Sequence, residues 1–252
     1  MAVVGLEVRG DVAIITLDRP EKLNAIDNEM LDGLLEATEE LGQDEAIGAA
    51  VLVGRGRAFS AGGDITAMAG MDESTFAATI ARYMRVAAAI RACRVPIVAA
   101  VHGYAMAGGF ELALLCDIRF AATGTQFGLP DTRLGLSPTS GMTWLLPRII
   151  GLGRAMSLTL SAEPIDAEEA LRVGLVSRVV EPETLFAEAE AFAHRLAGYP
   201  RLGVIGTKRG FLDALESDFG AATAAEAAAE IACFRTSETR ARLRAFAERK
   251  RD

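Results

Sequence analysis

The stretch VPIVAAVHGYAMAGGFELALLCDIRFAA, residues 95–122, decides how this chain is read. VPIVAAV (95–101) is a short continuous apolar run rich in β-branched residues, which predicts a buried strand. A glycine-bearing loop follows, then a short apolar helix, then DIRFAA (117–122) as another strand. Glu111 stands at the head of that helix, directly after Gly108, Gly109 and Phe110, in a run that is otherwise apolar. A carboxylate in the first turn of a helix is favoured by the macrodipole. That alone accounts for many such residues, so the surrounding loops must decide whether Glu111 does more.

Working outward, GLEVRGDVAIITLD predicts a hairpin around Arg9-Gly10-Asp11. DNEMLDGLLEATEELG places Met30, Leu31, Leu34, Leu35, Thr38 and Leu41 at helical spacing, with Gly42 as the stop. GAAVLVG (48–54) is a buried strand, RGRAFSAGGD a glycine-rich loop, and residues 73–92 a helix. SGMTWLLPRIIG reads as a helix with Pro147 near its end, and DAEEALRVGLVSRVV as a capped helix followed by a strand. From about residue 183 the pattern is helical throughout, with Ala-rich turns at 221–232. Strands and helices interleave to about residue 180 and helices follow, which predicts a mixed α/β core with a helical C-terminal part.

The 252 residues are 51% hydrophobic, enough for a sizeable core. A net charge of −8 argues against nucleic acid as the main partner while leaving room for a local basic pocket. The N-terminus lacks a basic segment followed by a continuous apolar one, so no signal peptide is expected. Residues 95–122 are too interrupted by His102, Glu111, Asp117 and glycines to span a bilayer. Cys93, Cys116 and Cys233 form no metal or redox spacing, and their odd number suits a reducing cytoplasm. With only His102 and His194 present, histidine-based metal sites are disfavoured, and no metal is expected.

Two glycine loops can present backbone N–H groups to a ligand: SAGGD (60–64) after one buried strand, and the Gly108-Gly109 pair at a helix start. Two such donors converging on one carbonyl oxygen make an oxyanion hole. A second carboxylate, Asp131, lies in QFGLPD. Two carboxylates beside a polarised carbonyl can divide acid and base roles.

RPEKLNAI (19–26), GRAFSAGGDI (56–65), HGYAMAGGFELALLCDIRFAA (102–122) and QFGLPDTRLGLSP (126–138) together resemble the enoyl-CoA hydratase/isomerase (crotonase) superfamily, in order and spacing, over essentially the whole chain. FAERKRD at the C-terminus resembles a shortened form of that family's closing basic segment. The resemblance implies a crotonase-like α/β fold, a spiral of ββα units with a helical C-terminal region. It implies a core over 1–194, an oligomerisation region over 195–252, and a homotrimer or a hexamer built as a dimer of trimers. It also implies an acyl-CoA thioester substrate, coenzyme A being part of that substrate, with no separate cofactor, no nucleic acid and no membrane as partners.

Within that resemblance the oxyanion donors fall on the N–H groups of Ala61 and Gly108, and the catalytic carboxylates on Glu111 and Asp131. Asp131 departs from the glutamate usual in hydratases and is roughly 1.5 Å shorter. Lys22, Ala25, Gly62, Gly63, Asp64, Ile65, Gly109 and Lys208 fall on substrate-binding positions. Asp64 reads either as a contact to the adenine end of CoA or as a helix cap, and the two are compatible. Lys22 and Lys208 read either as contacts to CoA phosphates or as solvated surface lysines. SPTSGMTW (137–144) replaces a Gly-Gly-Thr-Gln-Arg-like run, and its Met142 and Trp144 either line the acyl pocket or pack a helix core. His102 is expected to orient a strand end, Asp117 to support loop structure, and ERKRD to be a solvated basic end.

Three functions follow as alternatives. The leading one is a hydro-lyase that adds water across an α,β double bond, or removes it. A double-bond isomerase with one dominant carboxylate is the second. A binding protein of the same fold without turnover is the third, disfavoured by the retained Glu111 and the acidic balance.

Overall fold

Gly10 and Asp11 separate two apolar runs, and the chain turns back there as expected: β1 (Val4–Arg9) pairs antiparallel with β2 (Val12–Leu17), Arg9 opposite Val12. The computed structural model describes residues 2–249, so the basic end read at 248–252 lies, from Lys250 onward, outside the described residues. After the hairpin come α1 (Asn28–Gln43), β3 (Ala49–Gly54), α2 (Ile65–Met68) and α3 (Glu73–Ala92). Asp27, Asp64 and Asp72 start the three helices by accepting the N–H three residues on, which satisfies one orphan donor in each first turn. Then follow β4 (Ile97–Val101), β5 (Tyr104–Met106), α4 (Gly108–Leu115), β6 (Ile118–Ala122), β7 (Gln126–Gly128) and a 3₁₀ turn over Pro130–Leu134. The rest runs α5 (Met142–Ile150), α6 (Leu152–Ser161), β8 (Ile165–Asp166), α7 (Ala167–Arg172), β9 (Arg178–Val180), α8 (Leu185–Ala197), α9 (Arg201–Ala214), α10 (Phe219–Arg235) and α11 (Ser237–Arg249).

The main sheet has the order β1-β2-β3-β4-β6-β9, and every pair after the first hairpin is parallel. A second sheet of three short strands runs β5-β7-β8. The chain visits them in turn. β4 extends the main sheet, β5 the small one, and α4 closes the unit; β6 and β7 repeat the step. One turn earlier, β3 leads to Ser60, which bridges to Ala105 of the small sheet, and then to α3. This is the expected spiral of ββα units.

Side-chain alternation sorts the main sheet's two faces. Ala50, Leu52, Ile97, Ala99 and Val101 pack with α1, α3 and α4, whereas Ala49, Val51, Val98, Ala100 and Phe120 pack with Leu185, Ala189 and Ala193 of α8. α8 therefore belongs to the core, and the boundary expected at 194/195 falls inside it. The helices beyond it are α9–α11, and α10 has no buried residue of its own. Among the described residues no helix is long and apolar enough to cross a membrane.

Candidate active site

Glu111 lies in the first turn of α4, on the floor of a cavity of about 290 Å³. The chain enters the helix through Ala107, a non-glycine residue at φ 44° and ψ −123°, whose N–H is tied to the Gly128 carbonyl at 2.9 Å. The SAGGD loop lies directly against this entry. Ser60 donates to the Tyr104 carbonyl at 2.9 Å, and Met106 donates to the Ser60 carbonyl at 3.0 Å. A Cβ on Gly109 would lie 2.5 Å from the Ser60 carbonyl oxygen, and one on Gly62 would lie 2.6 Å from that of Met106. Only glycine lets the two backbones approach so closely.

This packing corrects one assignment. The Ala61 N–H donates to the Leu23 carbonyl at 2.9 Å, so it is consumed by the 19–26 turn and cannot serve as an oxyanion donor. The neighbouring Gly63 N–H has no hydrogen-bond partner among the described residues, nor does the N–H of Gly108, the first residue of α4. Both glycines line the cavity. They also flank one point: a Cβ on either would lie 3.3 Å from the Tyr83 hydroxyl.

Glu111 and Asp131 face the same cavity, as expected. Their surroundings differ. Glu111 is 3% exposed, and Thr139 holds both its oxygens, the N–H donating to Oε1 at 2.6 Å and the hydroxyl to Oε2 at 2.8 Å. Burial pushes the Glu111 carboxyl above its ordinary value, and hydrogen bonding by Thr139 and, after it, the Ser140 hydroxyl opposes that rise. Asp131 is half-buried in the 3₁₀ turn, and its Oδ2 is shielded from water without any partner. Burial raises its carboxyl as well. Tyr83, from α3, completes the wall; its phenol is held well above the ordinary range by burial and by the nearby Glu111 carboxylate.

The other expected residues divide. Gly63 and Ile65 line the cavity, while Gly62 and Gly109 shape it through the close contacts above. Lys22 is exposed and Ala25 half-buried in the 19–26 turn beside the loop, outside the cavity wall. Asp64 caps α2 through the Ala67 N–H and pairs with Arg19 at 2.8 Å, and these two contacts hold its carboxyl below the ordinary range. Its carboxylate serves the loop instead of an open binding surface.

Three positions depart from the substrate-binding reading, Met142 in favour of the core-packing alternative. Met142 is 2% exposed in the core and lies outside the Glu111 cavity. Trp144 has the guanidinium groups of Arg91 and Arg148 over its ring, at 4.9 and 4.1 Å from the centroid. Lys208 is buried, donating to the Val95 carbonyl at 2.9 Å and to Asp117 at 2.8 Å. It edges a separate groove of about 820 Å³ between the core and α9–α10. Asp117, expected to support loop structure, also accepts the Ile97 N–H at the start of β4, and His102 reaches the Gly56 carbonyl.

Sequence reasoning did not reach Thr139 or Tyr83. The departure at 137–144 was the available signal for Thr139, but it pointed to acyl-pocket residues. Tyr83 carried only its helical spacing.

The model of the enoyl-CoA hydratase/isomerase family matches residues 7–252. The chain is 35% identical to a crotonyl-CoA hydratase of Syntrophomonas wolfei, over 98% of this chain and 95% of that one. It is 34% identical to a short-chain-enoyl-CoA hydratase of Clostridium acetobutylicum, with the same coverage of each chain. The crystal structure of an enoyl-CoA hydratase from Bacillus anthracis superposes with a TM-score of 0.94, at 29% identity, over 98% of this chain and 96% of that one.

Proposed function

This chain belongs to the enoyl-CoA hydratase/isomerase family, and we propose that it adds water across the α,β double bond of a short-chain enoyl-CoA, and catalyses the reverse elimination. The observation that carries this reading is the shared cavity: two carboxylates with opposite surroundings, beside two backbone N–H groups with no partner. The Gly63 and Gly108 N–H groups receive the thioester oxygen and stabilise the negative charge that develops there. One such donor is worth on the order of 3 kcal/mol of barrier. Glu111, supplied with two donors, is the ionised base that takes a proton from water as its oxygen bonds to Cβ. Asp131, with a buried oxygen lacking any donor, is the protonated acid that delivers a proton to Cα. The proton taken up by Glu111 is exchanged through solvent as Asp131 is reprotonated.

The cavity's modest volume, with Phe76, Ile80 and Leu136 in its wall, suits a short acyl group, as the names of both relatives do. Coenzyme A enters as part of the substrate, with no further cofactor, and exposed Lys22 beside the loop suits its phosphates. Exposed apolar residues on the C-terminal helices, Phe211 at 73% and Phe219 at 85%, support a homo-oligomer, a trimer or a pair of trimers. Light scattering should give at least a trimer, and a stable monomer at working concentration would contradict this part. Three cysteines without disulfides fit a cytoplasmic enzyme.

Mass spectrometry after incubation with a four-carbon α,β-enoyl-CoA and, separately, its β,γ isomer tests the reaction. Gain of one water by the first and no change in the second is expected. Conversion of the second without gain of water, and no hydration of the first, would make the enzyme an isomerase.

A further inference from the structure

The two bonds from Thr139 to Glu111 come from one residue, on the loop between the 3₁₀ turn and α5. The N–H contact is available to any residue except proline at this position. The hydroxyl contact is not: it needs Ser or Thr, with the oxygen directed at Oε2. Ser140 Oγ lies 3.4 Å from the Thr139 hydroxyl and extends the network by one member. We propose that the Thr139 hydroxyl is a positioning element that holds Glu111 by its second oxygen, keeping it ionised and fixed in rotamer, and so sets the division of labour between Glu111 and Asp131. This rests on the hydration reading given above.

The physical argument is local. A carboxylate this deeply buried favours its neutral form unless donors stabilise the charge. Removing one donor of two leaves a buried oxygen unsatisfied and lets the side chain rotate about its remaining bond. Among the described residues the other titratable groups facing Glu111 across the cavity are Asp131 from the 3₁₀ turn and Tyr83 from α3; β5 and α5, which also pack on α4, contribute no residue to the wall. Asp131 carries like charge when ionised, and Tyr83 stays neutral. Neither can replace the lost donor to an ionised Glu111 without rearrangement; the Ser140 hydroxyl, which also favours the charged form of Glu111, is the one further donor beside Thr139. The Thr139 hydroxyl is therefore the group whose loss should move Glu111 toward protonation, and with it the proton traffic of the pair.

Thr139→Val removes the hydroxyl while keeping branching, volume and the backbone N–H; Thr139→Ala serves if the Val variant fails to fold; Thr139→Ser restores the donor. Hydration of a four-carbon α,β-enoyl-CoA is followed against pH in each. For Thr139→Val the expected result is a kcat lower by about tenfold, KM within about twofold, and the acidic limb of kcat/KM displaced upward by about one pH unit. Thr139→Ser should return both kcat and the limb to near the parent values. An unshifted limb in Thr139→Val, or a Ser variant that behaves like Val, would overturn the proposal. pH-difference infrared spectroscopy of the Glu111 carboxyl, with Glu111→Gln as the assigning control, provides a readout that needs no turnover. Its protonation midpoint should rise in Thr139→Val, and an unchanged midpoint would overturn the proposal even if the parent protein proved not to hydrate this thioester.

Discussion

The first turn of α4 and the 3₁₀ turn over Pro130–Leu134 each deliver one carboxylate to the same cavity, and they hold it in different ways. α4 is locked by its entry through Ala107 and by the glycine contacts with Ser60, and its Glu111 has a donor on each oxygen. The 3₁₀ turn is more exposed, and its Asp131 has one shielded oxygen with nothing to bond. Residue type alone would make the two interchangeable. Donors and desolvation separate them, and the proposed division into a base acting on water and an acid acting on Cα rests on that separation.

The largest effect should come from Glu111→Gln. The amide keeps the shape and cannot accept the proton, so kcat should fall by about 10³-fold or more while acyl-CoA affinity changes little. Near-normal turnover, read in a steady-state assay, would reduce Glu111 to a residue that serves the helix terminus. A smaller effect isolates the α4 side of the comparison. In Gly109→Ala the new Cβ would meet the Ser60 carbonyl oxygen at 2.5 Å, so α4 and the loop must separate. Denaturant unfolding should show a loss of about 1–3 kcal/mol. Unchanged stability would mean that the loop contact is not tight.

The 3₁₀ side is sharpened by pH. The Asp131 carboxyl is raised in the folded state, so its contribution to stability is fully present below the unfolded aspartate value, near about 3.9, and is lost as pH rises through the folded value. At neutral pH, where the unfolded aspartate is ionised, the raised carboxyl is a net burden on the folded state. Asp131→Asn should therefore raise Tm by about 2–4 °C at pH 7 and leave it nearly unchanged near pH 3, measured by calorimetry. A Tm that falls at pH 7 would show that Asp131 has a partner in solution. The smallest change lies away from both turns. Asp166 caps α7 through the Glu169 N–H, and Asp166→Ala should remove about 1 kcal/mol of stability without altering kcat. A large loss of activity there would show that the site depends on distant packing.

These contrasts also mark what the sequence could carry. Long apolar runs such as VPIVAAV and helices begun by Asp caps are legible because each is a local signal. β5, β7 and β8 have three, three and two residues, too short to show alternation, so the small sheet that aims the site loops was not visible. The glycine loops and the carboxylate pair could be read from residue type and from the family resemblance. Which N–H in SAGGD remains unpaired could not, because it depends on Leu23, across the loop, accepting from Ala61. Lys208 was misplaced for a similar reason: its partner Asp117 lies 91 residues away, and only packing brings them together. Met142 and Trp144 sit two residues apart on α5, one in the core and one against two arginines, and the helix phase that separates them is set by tertiary contacts.

The most direct test of the shared-carboxylate account is hydration of a four-carbon α,β-enoyl-CoA in ¹⁸O-labelled water, with the parent enzyme and Asp131→Asn run side by side. The account predicts product carrying one labelled oxygen at Cβ from the parent, and a rate at least about a hundredfold lower from the variant, since the proton to Cα has lost its donor. Equal rates of label incorporation would contradict it and leave Glu111 as the sole acid and base.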